Sequence, residues 1–328
     1  PDGRVLIRRR SAGRHHLALL YPTGPCTGEL PLGGVECDRL TLLPPAPGGP
    51  LVYALSPGHP RGGSTAVWLV HGGSYGPELV AEVPGRCSGG TWLDHEGRLL
   101  ALDRTDATGR TKAVVVDLGR GGEVTPLLQI TDDSDDRLLL ADPDSGLLVL
   151  RSDAAGEPRL GWGVLGSHRP VRFPDALRPP GVTLTPFALQ PGQALVPEGC
   201  AVALRVDGPN GTWVAVWRPA QRRLQHLPAP QGWLRGTGLW TADGELRLPY
   251  SNGHTRCGLA RITVPRPEPE PLPRQRRAPG PAVRGVGMVS SVSAAAEPAD
   301  PFTVRTAPCT PVPLQQAPLS RNTAEQRS

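Results

Sequence analysis

A glycine-containing turn followed at once by an apolar strand recurs along this chain about every 48 residues. The copies read Asp2-Gly3-Arg4-Val5-Leu6, Gly48-Gly49-Pro50-Leu51-Val52, Glu96-Gly97-Arg98-Leu99-Leu100, Asp144-Ser145-Gly146-Leu147-Leu148, Pro191-Gly192-Gln193-Ala194-Leu195 and Asp243-Gly244-Glu245-Leu246-Arg247. From Gly3, the glycines Gly49, Gly97, Gly146, Gly192 and Gly244 follow at steps of 46, 48, 49, 46 and 52 residues. One such unit cannot bury both faces of its strands, so neighbouring units must stack side by side. A period of about 40–50 residues with several strands in each predicts a β-propeller.

A second landmark keeps the same spacing. Each turn-strand leads into another strand, marked by Ala18, Val67, Val114, Gly161, Val214 and Leu259 at steps of 49, 47, 47, 53 and 45 residues. An apolar stretch also precedes the turns, as in Leu40-Thr41-Leu42-Leu43, Trp92-Leu93, Leu138-Leu139-Leu140, Leu184-Thr185-Pro186-Phe187 and Leu239-Trp240. A fourth often closes the unit, as in Leu79–Val83, Leu127–Ile130 and Leu224–Leu227. Four short strands per unit are the content of one blade. Runs such as Val114-Val115-Val116 suit strands buried on both faces. With 41 Gly and 40 Pro, few windows of helix length are left uninterrupted. The chain reads as all-β, a propeller of about six to seven four-stranded blades.

Residues 1–264 carry the repeat and are expected to form the propeller. The chain begins inside a unit, and Pro1-Asp2-Gly3-Arg4 reads as the end of a turn whose first residue is missing. From Pro265 the periodicity stops, and residues 265–328 read as a Pro-, Ala- and Arg-rich disordered tail. Within the tail, Val312–Leu319 is a docking peptide, a last strand or plain disorder. The formal net charge is +5, and Lys112 is the only lysine beside many arginines, a bias that high-GC codon usage would produce. These arginines are scattered rather than striped, which argues against nucleic acid as a partner. No run of 18 apolar residues is present to span a membrane. The expected state is a monomer, and the compartment stays open with a preference for the cytoplasm.

One motif has the form of a catalytic site. Gly72-Gly73-Ser74-Tyr75-Gly76 matches G-x-S-x-G after an apolar strand, and His71-Gly72-Gly73 has the form of an oxyanion loop. Ser74 is therefore the one candidate nucleophile. A nucleophile elbow needs a helix directly after the serine, whereas Pro77–Pro84 reads as a short β-rich segment. The motif also falls where the repeat requires a Gly-rich turn. Asp132-Asp133-Ser134-Asp135-Asp136 offers carboxylates for calcium but lacks the alternating ligands and central glycine of a calcium loop, so it reads as a solvated turn. The histidines His15, His16, His59, His71, His95, His168, His226 and His254 form no His-x-His or His-x-x-x-His pair. Cys26, Cys37, Cys87, Cys200, Cys257 and Cys309 show no Cys-x-x-Cys spacing; disulfides and isolated thiols both remain open. Asn210-Gly211-Thr212 spells a glycosylation sequon in what reads as an ordinary turn. No metal, no cofactor and no catalytic residue is assigned.

The units Thr91-Trp92-Leu93-Asp94-His95-Glu96-Gly97-Arg98-Leu99-Leu100-Ala101-Leu102 and Leu239-Trp240-Thr241-Ala242-Asp243-Gly244-Glu245-Leu246 carry a resemblance. Over residues 1–264 the pattern resembles the WD-repeat-like propellers of the Tol-Pal periplasmic protein and of the propeller domain of prolyl oligopeptidases. The string around Ser74 is similar to the one around the catalytic serine of prolyl-oligopeptidase-type peptidases. Two functions follow as expectations. The first is a non-catalytic propeller scaffold that binds a protein or peptide partner. The alternative is the propeller portion of a prolyl-oligopeptidase-like serine hydrolase whose catalytic domain lies outside this chain.

Overall fold

A computed structural model of the chain describes residues 4–58, 63–192 and 196–264. Six antiparallel sheets follow one another along this stretch, each built from consecutive strands. The first holds β1 (Val5–Ser11), β2 (Arg14–Thr23) and β3 (Cys26–Glu36), and the second β4 (Thr41–Leu42), β5 (Val52–Pro57), β6 (Ser64–His71) and β7 (Glu78–Pro84). The third contains β8 (Arg86–Trp92), β9 (Leu99–Thr105), β10 (Thr111–Asp117) and β11 (Glu123–Leu128). In the fourth are β12 (Asp136–Ala141), β13 (Leu147–Ser152) and β14 (Arg159–Val164). The fifth comprises β15 (Thr183–Leu189), β16 (Val202–Gly208), β17 (Gly211–Trp217) and β18 (Gln225–Leu227). β19 (Leu239–Trp240), β20 (Glu245–Tyr250) and β21 (Gly258–Thr263) complete the sixth. Short 3-10 turns at Leu118–Arg120, Asp175–Leu177 and Pro197–Gly199 are the helical content of the described residues. This is the all-β propeller that the repeat predicts.

The repeat has a local cause. In the third, fourth and sixth units a glycine just ahead of the second strand adopts a left-handed backbone: Gly97 at φ 70°, Gly146 at 69° and Gly244 at 89°. Any Cβ is disfavoured there. At Gly97 one would also meet the Cβ of Ala46 at 2.5 Å. In the second unit the left-handed residue is Gly48, at φ 73°, and not the Gly49 used to mark the period. The residue opening the turn caps it. Asp94 accepts from the Arg98 and Leu99 N–H groups at 3.0 and 3.1 Å, Asp142 from Ser145 N–H at 3.1 Å, and Thr241 from Glu245 N–H at 3.1 Å. Turn polarity and strand apolarity thus recur together.

Not every blade has four strands. Sheets two, three and five do, whereas one, four and six show three among the described residues. In the fourth sheet the outer position shrinks to a single bridge, Trp162 to Arg172, with the Arg172 guanidinium 5.1 Å from the Trp162 ring centroid. Pro170 and Pro174 flank that bridge, and neither has an N–H to donate to a ladder. The first sheet starts at the position that β5, β9, β13, β16 and β20 occupy elsewhere. Its innermost place, filled by β4, β8, β12, β15 and β19 in the other blades, is empty among the described residues.

Burial lies between blades. Leu17, Val35, Leu40, Ala54 and Val70 join the first to the second. Tyr53, Val67, Trp92 and Leu100 join the second to the third. Ala113, Leu138 and Leu150 link the third to the fourth, and Trp162, Leu204 and Trp217 the fourth to the fifth. Ala203, Val216, Trp240 and Leu246 connect the fifth to the sixth. Among the described residues no such cluster joins the sixth sheet to the first.

Candidate functional site

Ser74 sits in the bend between β6 and β7, exposed, with no helix after it. Glu78 returns to accept from the Tyr75 N–H at 3.4 Å, and Tyr75 projects at 94% exposure. The chain goes directly into β7, which pairs with β6 through Trp68↔Leu79 and Leu69↔Glu78. Among the described residues Ser74 has no hydrogen bond to a histidine or carboxylate. Its geometry is that of a hairpin loop, and the backbone of an elbow is missing.

The acid-rich turn differs from its expected solvated form. Asp132 and Asp133 face water, but Ser134 is 3% exposed and Asp136 fully buried. Lys112 on β10 reaches across from the third blade, its Nζ 2.9 Å from Asp136 Oδ2 and 3.2 Å from Ser134 Oγ, and also donates to the Thr131 carbonyl. Ile130 N–H donates to Asp136 Oδ2 at 2.9 Å, and the hydroxyls of Ser134 and Ser152 to the same carboxylate at 2.9 and 2.6 Å. Burial alone would push the Asp136 carboxyl up. The hydrogen bonds from Ser152, Lys112, Ile130 and Ser134 outweigh it and hold the group below the usual carboxylate range. Two further links bind the turn: Thr111 N–H to Asp135 Oδ1 at 2.7 Å, and Asp135 N–H to Asp153 Oδ1 at 2.7 Å. Of the four carboxylates of this turn, those of Asp135 and Asp136 are occupied by protein donors. One signal for the clasp was present in the sequence: a lone lysine in an arginine-rich chain. An ammonium is a compact point charge with three donors, which suits three converging acceptors better than a planar guanidinium fork.

Asp103, beside this clasp on β9, behaves in the opposite way. Its side chain is 8% exposed, accepts from Leu138 N–H at 2.9 Å and has the Arg137 guanidinium only at 4.0 Å. Burial dominates and pushes its pKa up to about 6. Because the folded value lies above the unfolded one, the folded state binds the extra proton between about pH 4 and pH 6, and stability falls as pH rises through that window. Asp103→Asn keeps an acceptor and removes the charge. Urea unfolding at pH 4 and pH 7.5 is expected to show the variant gaining about 2 kcal/mol on the wild type over that interval. Parallel pH profiles for the two proteins would contradict this.

One rim of the blades is knit by the inner turns. His95 Nε2 lies 2.8 Å from Asp144 Oδ1, and Asp144 Oδ2 accepts from Gly192 N–H at 2.8 Å, so the turns of blades three, four and five are linked in series. His95 and Asp144 stand 49 residues apart and belong to successive copies of the same turn, which dispersed histidines in a linear sequence did not reveal. His15 is 2% exposed; burial first, then Arg8 and Arg10, outweigh the backbone of Asp38 and Cys37 and hold it below the usual imidazole range. Cys26, Cys37, Cys87, Cys200 and Cys257 are free, and burial pushes the thiols of Cys37, Cys87 and Cys200 up, which disfavours the nucleophilic thiolate. Among the described residues no group of three His, Cys, Asp or Glu side chains could hold a metal ion, and no helix is long and apolar enough to cross a membrane. Of Asn210-Gly211-Thr212, Asn210 lies in the turn between β16 and β17, and Gly211 and Thr212 open β17. His59, Cys309 and the segment Val312–Leu319 lie outside the described residues, as does all of 265–328.

A grooved surface is found on the first blade. A hollow of about 500 Å³ is lined by Arg9, Arg14, His16, Leu17, Glu29 and neighbours. Arg9 pairs with Glu29 and Arg14 with Glu36 across this sheet.

No family model matches the chain, and no curated protein matches it. Solved structures do share its fold. TolB from Acinetobacter baumannii superposes with a TM-score of 0.51 at 14% identity, over 80% of this chain and 62% of that one. The β-propeller domain of the Trilobed protease from Pyrococcus furiosus gives 0.45 at 8% identity, over 81% and 95% of the two chains. A structure from a study of two prolyl endopeptidases gives 0.45 at 14% identity, over 76% and 39%. The chain spans about 62% of the length of the Acinetobacter TolB. At the level of fold it resembles the Tol-Pal type of β-propeller.

Proposed function

We propose that the chain is a non-catalytic β-propeller scaffold that binds a protein or peptide partner. The observation that carries this reading is the junction between blades three and four. There Lys112, Ser134, Asp136 and Ser152 satisfy one another and the backbone. A catalytic acid or nucleophile has to meet a substrate in a concave site beside its base, and the one candidate serine stands on an open hairpin. Ion pairing within the protein supports a partner other than nucleic acid: Arg9–Glu29, Arg14–Glu36, Arg205–Asp207 and Arg247–Glu245 each neutralise a cation locally. The propeller acts as a monomer in this reading. Affinity capture with the full chain from its native extract, at several salt concentrations, is expected to recover one specific partner. Empty captures under every condition would overturn the reading. Coding sequence for an α/β-hydrolase domain adjoining this chain would favour a hydrolase propeller instead.

A further inference from the structure

A hollow of about 300 Å³ opens where blades four and five meet, lined in part by Arg151, Arg159, Leu160, Leu177, Arg178 and Val182. Its apolar wall and its charge have separate origins. Leu160, Leu177 and Leu184 belong to the core between these blades, and Val182 packs against it. On β13, Leu147 and Val149 face the same core, and alternation along the strand puts Arg151 on their face. The apolar row thus ends in a cation. Arg137 stands opposite Arg151 in the β12–β13 ladder, where like charges repel, and its guanidinium turns to Thr111 Oγ1 at 3.0 Å and Asp103 at 4.0 Å on blade three. Arg151 is exposed, and its side chain has no ion pair or hydrogen bond among the described residues. Glu157 serves both of the other arginines, bonded to Arg159 at 3.1 Å and paired with Arg178. Asp207, opposite Thr183 on blade five, accepts instead from Arg205 and Thr212. Among the described residues three guanidiniums therefore share one carboxylate.

The backbone adds a donor. Trp162 exchanges both hydrogen bonds with Arg172 across the outer edge of β14, each at 2.9 Å. Leu160, two residues earlier, presents its N–H and C=O to the same edge. Two steps from that bridge it stands in register with Pro174, which has no N–H and whose carbonyl accepts from Leu177 N–H at 3.0 Å. Among the described residues the Leu160 N–H and C=O have no partner beyond the sheet.

We propose that this hollow binds the carboxyl terminus of a partner protein that ends in an apolar residue. This rests on the reading of the chain as a partner-binding propeller and gives that partner a chemistry and a place. A planar carboxylate meets a guanidinium fork with two parallel hydrogen bonds, and Arg151 and Arg178 offer such forks beside the Leu160 N–H. The apolar wall selects the source of the anion. In a C-terminal leucine the side chain and the carboxylate branch from one Cα, so a single residue covers both the leucines and the cations, as in other captures of a peptide terminus. A bare phosphate would cover only the cations.

The test uses the full chain and a fluorescent six-residue peptide of serine and glycine that ends in valine and leucine, with a free carboxylate or as the terminal amide. The acid form is expected to bind, to lose affinity as salt rises, and to move the backbone amide signal of Leu160 in nuclear magnetic resonance spectra. The amide form should bind about tenfold more weakly, which corresponds to about 1.4 kcal/mol. Arg151→Gln should cost the acid form a similar factor and leave the amide form unchanged. Glu157→Gln removes the competing carboxylate and should tighten the acid form; a gain in affinity needs a folded protein, so this variant decides the matter if Arg151→Gln does not fold. No binding, equal binding of acid and amide, no change in either variant, or signals that move only away from Leu160 would overturn the proposal. Tighter binding of inorganic phosphate or N-acetylleucine than of the acid peptide would overturn it too, by assigning the hollow to a small anion. A natural partner captured equally by wild type and Arg151→Gln would sink the docking site while leaving the scaffold reading intact.

Discussion

Asp136→Leu is expected to lower the unfolding free energy by about 3–5 kcal/mol, a large share of the roughly 5–15 kcal/mol that holds a domain together. The Lys112 ammonium, with its side chain only 15% exposed, would lose its counter-charge. The Ile130 N–H and the hydroxyls of Ser134 and Ser152 would lose their common acceptor at the same time. Urea unfolding should show an earlier midpoint with an unchanged slope. Lys112→Met alone should cost a similar amount, because it strands the carboxylate. The double variant should cost clearly less than the two single losses together, since residues of one network are not additive. The acid side follows from the same geometry. Asp136 titrates below the usual carboxylate range when folded, so its contribution is complete above that range and is lost as pH falls through the folded value. Additive single losses would mean that the clasp contributes nothing as a unit.

Trp217→Ala should rank beside it. Among the described residues Trp217 is the largest side chain with no exposed surface, at the junction of blades four and five. Its ring meets Trp162 edge-on with centroids 6.5 Å apart, and its Nε1 donates to the Gln221 carbonyl at 3.2 Å. Truncation leaves a cavity walled by strands on both sides that can collapse only in part, at about 3–5 kcal/mol. For a domain of this size that corresponds to a fall in Tm of about 10 °C. Trp217→Phe, which keeps most of the volume, should lose well under half as much. Calorimetry of the two variants checks both, and equal losses would show that cavity volume is not the governing quantity.

The architecture was legible because its cause is local. A left-handed glycine, a capping residue such as Asp94 or Asp142, and the apolar strand that follows sit within a few residues of one another, so each copy is written out in full. Strand number was less legible. The outer strand of the fourth blade is reduced to the Trp162–Arg172 bridge by the prolines on either side, and the period alone predicted four strands. The polar clasp was illegible for a different reason. Lys112 and Asp136 are 24 residues apart, Asp103 and Leu138 are 35 apart, and they meet only once two blades stack in register. A turn of four aspartates therefore reads as solvated, although its last carboxylate is the most enclosed charge in the described residues. The converse holds for Ser74. Its five-residue string is complete in sequence, but catalysis by an elbow depends on the helix behind it, and β7 stands in that place.

Labelling of the full chain with a fluorophosphonate probe tests the non-catalytic reading most directly. Wild type and Ser74→Ala are expected to give the same absence of adduct under conditions in which a serine hydrolase added to the sample is labelled to completion. A stoichiometric adduct on Ser74, lost in Ser74→Ala, would contradict the account.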